Sequence, residues 1–240
     1  MEWYTLVYAL GFIFVHLYSK YLTFLHTIPR SKLLSIAGGI SVAYVFIHLL
    51  PELNMHQQQI DDRLNDGWMN FLNHHIYIVA MAGLASFYGL ERMVKVSKKI
   101  SKNSDEYARV FWIHIISFTI YNALIGYLLV RGENEGFFEM ALYFIALSVH
   151  FLSNDNSLRE SHEHVYDHKG RWILAGAILF GWLIGVTVEV NELILSFLFA
   201  FLAGGIVLNV LKEELPEEKE SHFGAFFLGS AAYSIILILL

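Results

Sequence analysis

Polar residues interrupt this chain only at intervals. Between them lie apolar stretches at approximately 3–25, 33–50, 74–90, 110–130, 136–153, 172–188, 193–211 and 223–240. These runs show neither the alternation of a half-buried strand nor the single stripe of an amphipathic surface helix. Their length suits a hydrocarbon core of about 30 Å crossed at about 1.5 Å per helical residue. In lipid every backbone N–H and C=O needs an internal partner, which an open sheet does not supply, and the dyad pattern of a barrel is missing. The pattern therefore predicts an all-α, polytopic membrane protein. Eight transmembrane helices form a single domain over residues 1–240. Pro29, Pro51 and Pro216 each sit at or just beyond the end of a stretch, where a missing N–H is tolerated.

Composition agrees. The chain is 56% hydrophobic and 16% charged, with a mean hydropathy of +0.49, against about 25% charged residues in an ordinary soluble domain. It has no cysteine, which excludes disulfides and thiolate metal sites. The Met1-Glu2-Trp3 start lacks a basic n-region and a cleavage signature, so the first stretch is expected to be a retained helix. Nothing indicates nucleic-acid binding.

With the N-terminus outside, the inner connections hold 14 of the 16 Lys and Arg residues, and only Arg63 and Arg131 fall outside. The positive-inside rule then puts both termini on the non-cytoplasmic side and supports an even helix count. Two polar connections, 54–73 outside and 154–171 inside, are expected to be loops.

A weak internal echo links the second and seventh stretches. Gly38-Gly39-Ile40 is followed by Leu50-Pro51-Glu52, and Gly204-Gly205-Ile206 by Leu215-Pro216-Glu217. The two stretches are expected to run in opposite directions, as an inverted repeat requires. Close helix packing at paired glycines and a common helix-end signal would produce the same echo, and both meanings stay open.

The run Gly38 to Glu52 resembles the second helix of the ZIP (Zrt/Irt-like) divalent metal transporters. Ala82-Gly83-Leu84-Ala85-Ser86-Phe87-Tyr88-Gly89-Leu90-Glu91-Arg92 resembles their third helix, and Ala203 to Glu217 their seventh. The resemblance implies a ZIP-like bundle with inverted-repeat character and a cation site between helices four and five. In the family that site combines His, Asn and Asp or Glu on helix four with a His-x-x-Pro-Glu or His-Glu-x-Pro-His-Glu run on helix five. Residues four apart stack on one helical face, and imidazole with carboxylate suits Zn²⁺, Fe²⁺ or Mn²⁺.

This chain departs from the pattern there. Aligning Asn122 with the family asparagine puts Tyr121 at the histidine position and Ile125 at the acidic one. A shifted register puts Asn122 at the acidic position and Phe118 at the histidine position. On helix five His150 matches the leading histidine, Ser153 replaces proline, Asn154 replaces His or Glu, and Asp155 matches the last acid of the longer version. The ligand candidates are Asn122, His150, Asn154 and Asp155.

Other histidines are weighed beside them. Ionisable groups inside a membrane span are costly and usually functional, which favours His150 as a ligand over a packing histidine. An amide such as Asn122 serves equally as an interhelical hydrogen bond. His48 and Glu52, with His74 and His75, could form a site at the pore mouth, although interfacial histidines are commoner. His114 is expected to be a buried, hydrogen-bonded histidine. Glu91, Glu189, Glu213 and Glu214 are expected to mark the water boundary. In the inner connection His162, His164 and His168 have spacings that suit a modest Zn²⁺ chelator or sensor.

The expected function is transport of a divalent cation of the zinc, iron or manganese class, zinc foremost. The alternative is a non-transporting ZIP-like protein that senses metal or acts as a scaffold. No enzyme activity and no organic cofactor are expected, because no membrane stretch carries His-x-x-x-His or His-Glu-x-x-His. The implied partners are the bilayer and the cation, with a homodimer admissible.

Overall fold

A computed structural model describes residues 3–22, 31–63, 75–100, 104–132, 136–214 and 222–239. The described residues are almost wholly helical and contain no strand. The helices are α1 (Trp3–Tyr18), α2 (Lys32–Tyr44), α3 (Leu50–Arg63), α4 (His75–Ile100), α5 (Ser104–Arg131), α6 (Phe137–Val165), α7 (Arg171–Thr187), α8 (Glu192–Glu214) and α9 (Phe223–Leu239). Five helical segments are long and apolar enough to cross a membrane: Lys32–Ile60, Ala108–Arg131, Phe137–His162, Tyr166–Thr187 and Glu192–Glu214. A shorter apolar helix spans Phe223–Leu239. Large apolar side chains stand exposed on several helices, among them Phe14, Met81, Phe180 and Ile238. A surface of that kind belongs against lipid rather than water. Leu215-Pro216-Glu217, His74, Arg30, Lys102, Lys219 and connection residues 64–73 lie outside the described residues.

Two expected boundaries are corrected. The second stretch is expected to end at residue 50, just before Pro51, but helix continues to Arg63. A π-helical turn, Val45–Leu49, precedes Leu50 and Pro51. Proline cannot donate to the carbonyl one turn back and crowds it. One extra residue in that turn relieves both, so the chain continues as helix.

The connection 154–171, expected to be a loop, is also helical: α6 runs to Val165, and a π-helical turn, Tyr166–Gly170, leads into α7. The path still reverses. Tyr166 Oη donates to Asp155 Oδ1 at 2.5 Å, yet residues eleven apart in a straight helix sit about 16 Å apart along its axis. Arg159 Nε likewise reaches Asp167 Oδ1 at 2.9 Å.

Helix α1 records that reversal. It runs parallel to α6: Tyr8 meets Phe137, Phe12 meets Phe144 and His16 meets Asp155. It runs antiparallel to α7, where Arg171 Nη1 donates to Leu17 O at 2.7 Å and Trp182 Nε1 to Thr5 Oγ1 at 3.0 Å. The tightest helix pairs are parallel and meet at glycines: α5 with α7, α4 with α8, and α2 with α9. Without a side chain, one backbone rests directly on the next, which is how helices gain dispersion contact where lipid supplies no hydrophobic drive. α1, α5, α6 and α7 make one group, and α2, α3, α4, α8 and α9 the other. The groups meet chiefly where α6 passes α2 and α8, and where α5 passes α4.

Candidate functional site

Within the first group, polar side chains collect where α1, α5 and α6 converge. Asn122, His150, Asn154 and Asp155 are all buried there. The apolar environment of these helices leaves each polar atom dependent on a protein partner. The residue that joins Asn122 to Asp155 is His16 of α1. Its Nδ1 lies 2.9 Å from Asp155 Oδ1, and its Nε2 lies 2.9 Å from Asn122 Oδ1.

Hydrogen-bond chemistry assigns the protons. Asn122 Nδ2 donates to Phe118 O at 2.8 Å, which turns the amide oxygen towards His16. Asp155 Oδ1 already accepts from Tyr166. Both ring nitrogens of His16 therefore face acceptors. Protonated on both nitrogens, the ring donates to both acceptors, with Asp155 as its carboxylate counter-charge. Asp155 Oδ2 is buried and makes no hydrogen bond.

A second cluster sits beside the first. Tyr121 Oη and His150 Nε2 are 2.7 Å apart, and Asn154 Nδ2 lies 2.9 Å from the same nitrogen. The four ligand candidates thus do face the interior between α5 and α6. They form two pairs: Asn122 with Asp155 through His16, and His150 with Asn154. Ser153 donates to buried Glu214 of α8, so that glutamate does not mark a water boundary.

The inner histidines separate. His162 is buried and its Nε2 lies 2.9 Å from His114 Nδ1 on α5. His164 and His168 are exposed, with ring centroids 3.9 Å apart. The expected loop is corrected to helix, and of the two expected pairs His162 with His164 is split while His164 and His168 stay adjacent: a helical turn of 3.6 residues puts His162 on the protein-facing side and the other two on the open side.

His114 Nε2 lies 3.4 Å from Glu91 Oε1, and Glu91 Oε2 accepts from Lys212 Nζ at 2.5 Å. A line of polar contacts thus crosses from α6 through α5 and α4 to α8. Burial pushes the Glu91 carboxyl up, but the neighbouring His114 ring and the Lys212 ammonium outweigh it and hold the pKa down to about 2, against an ordinary 4.5. A lowered pKa stabilises the fold fully above about pH 4.5 and loses that contribution as pH falls through 2. Melting curves of detergent-solubilised protein should therefore fall as the medium is acidified below pH 4.5. Glu91→Gln should flatten that fall; parallel acid losses in both proteins would remove Glu91 as its source.

At the other end of the bundle His48 Nε2 is 3.5 Å from Glu52 Oε2. His75 makes no hydrogen bond among the described residues and is not joined to that pair.

His16 is the functional candidate that sequence inspection passed over. The signal was present: an imidazole inside the first apolar stretch obeys the same rule that singled out His150.

The arrangement can hold charge and protons inside an apolar bundle. Among the described residues no three His, Cys, Asp or Glu side chains are gathered for one metal ion. His16 offers opposite nitrogens to Asp155 and Asn122, so a single ion could contact all three residues only after the ring turns. Compared with family models, curated proteins and solved structures, the chain matches none.

Proposed function

We propose that this chain is a multi-pass membrane carrier of a divalent cation of the zinc, iron or manganese class. It is an eight-span ZIP-like bundle with inverted-repeat character and both termini on the non-cytoplasmic side. The observation that carries this function is the burial of Asn122, His150, Asn154 and Asp155 between α5 and α6, at the level where His16 enters from α1. Two groups of helices, joined by a few crossings, also suit a carrier that works by moving one group against the other.

His16 adds a coupling. Its imidazolium stands where a cation would lie between Asp155 and Asn122. An incoming dication takes over Asp155, His16 gives up a proton, and the freed ring nitrogen becomes a ligand. Metal movement is then linked to proton release. Proteoliposomes holding the protein should take up Zn²⁺, Mn²⁺ or Fe²⁺ faster than protein-free vesicles, with a matching proton flux. Asp155→Asn should remove both. Uptake equal to that of protein-free vesicles for all three metals would end the carrier proposal.

One observation favours a second function. Asn122, His150, Asn154 and Asp155 already hydrogen-bond protein partners, and no three-ligand group is assembled among the described residues. A ZIP-like protein that no longer transports, and instead senses metal or serves as a scaffold, needs nothing more. Its metal contact would be the exposed His164 and His168. Replacing both by Ala should then abolish Zn²⁺ binding in calorimetric titration, while liposome uptake stays at the background level.

A further inference from the structure

At one end of the α4–α8 pair lies a cleft of about 320 Å³, lined by Tyr88, Glu91, Arg92, Lys95, Leu208 and Lys212. Its charges do not balance. Lys212 is tied to Glu91 and Glu213. Arg92 and Lys95 are exposed and make no hydrogen bond or ion pair among the described residues. They lie three residues apart, on the helix face that also carries Tyr88 one turn earlier.

That face continues as an apolar strip. Met81, Ala85 and Tyr88 are all exposed, and Met81 and Tyr88 are seven residues apart, so they stand in line. From Met81 to Arg92 the strip covers about 16 Å of helix axis. An apolar track ending in two unpaired cations has the polarity of an amphiphile with an anionic head. Basic clefts between membrane helices hold such headgroups by charge and hydrogen bonding.

We propose that the cleft between α4 and α8 binds the phosphodiester of an anionic phospholipid. Arg92 and Lys95 hold the phosphate, Tyr88 borders it, and an acyl chain lies along Met81 and Ala85. The basic end of the helix pair thereby takes its lipid from the leaflet that it faces. The strip is what selects a lipid over a soluble phosphate, because a free ion gains nothing from it.

The test is native mass spectrometry of the full chain in an uncharged detergent, titrated with phosphatidylglycerol, phosphatidylcholine or glycerol 3-phosphate. Phosphatidylglycerol should be retained about tenfold better than phosphatidylcholine, as two cations near a membrane surface allow. Glycerol 3-phosphate should bind far more weakly than either lipid. Arg92→Gln combined with Lys95→Gln should bring phosphatidylglycerol down to the phosphatidylcholine level. Lys20→Gln with Lys169→Gln, which removes two cations elsewhere, should keep the preference. Because Arg92 and Lys95 are exposed, the cleft variant should melt with the wild type. Equal retention of the two lipids, an unchanged preference in the cleft variant, or equal loss in the control variant would overturn the proposal. Glycerol 3-phosphate binding as tightly as phosphatidylglycerol would overturn it in favour of a soluble phosphate.

Discussion

Asp155→Ala is expected to destabilise the folded protein by about 3–5 kcal/mol, the range seen when one partner of a buried ion pair is removed. Asp155 is fully buried and accepts from both His16 and Tyr166. Taking it away leaves the Tyr166 hydroxyl without its acceptor and the His16 ring with only the Asn122 amide oxygen and no counter-charge, and the uncompensated charge dominates the cost. Losing the charge from His16 as well should recover much of it. A paired His16→Leu and Asp155→Leu variant should therefore melt above Asp155→Ala, despite carrying one more substitution. Chemical or thermal unfolding in detergent measures both, and adding His16→Leu and Asp155→Leu singly completes the double-mutant cycle that isolates the pair. If Asp155→Ala unfolds with the wild type, the carboxylate is not the counter-charge of His16.

Gly204→Leu should keep α4 and α8 from docking. A Cβ on Gly204 would overlap the carbonyl of Ala80, and one on Gly83 would overlap the carbonyl of Phe201. These obstacles are backbone, so no side chain can swing aside to make room. The helices would have to separate, which loses dispersion contacts along the pair. Even Gly204→Ala should cost about 1–3 kcal/mol, the usual penalty of overpacking. Gly89, also on α4, supplies the control: a Cβ there meets nothing within 4 Å. Gly89→Ala should be neutral or stabilise by about 0.5–1 kcal/mol through reduced backbone freedom. Matching melting temperatures for Gly204→Ala and Gly89→Ala would show that the two helices do not touch at that glycine.

The candidate site was half legible. Asn122 and His150 stand out as polar groups within apolar stretches, Asn154 and Asp155 only through what the run after His150 resembles, and all four are buried. Their partners could not be singled out. His16 precedes Asp155 by 139 residues, and no spacing rule joins positions so far apart in the chain. His162, His164 and His168 looked equivalent as letters within a polar run. Their division follows from that run being helical and resting one side on His114. Pro51 looked like a terminus because proline usually ends a helix, whereas a π turn allowed it to stand within one.

Hydrophobic patterning alone determined that the chain is helical and apolar enough for a bilayer, since that depends on each segment's own transfer from water and its own hydrogen bonds. Which helix lies beside which depended on glycines far apart in sequence finding opposing carbonyls. Whether a buried histidine would meet a carboxylate, an amide or a second histidine depended on the same docking. Pairing of that kind is a property of two surfaces in contact, and neither surface is written in either segment alone.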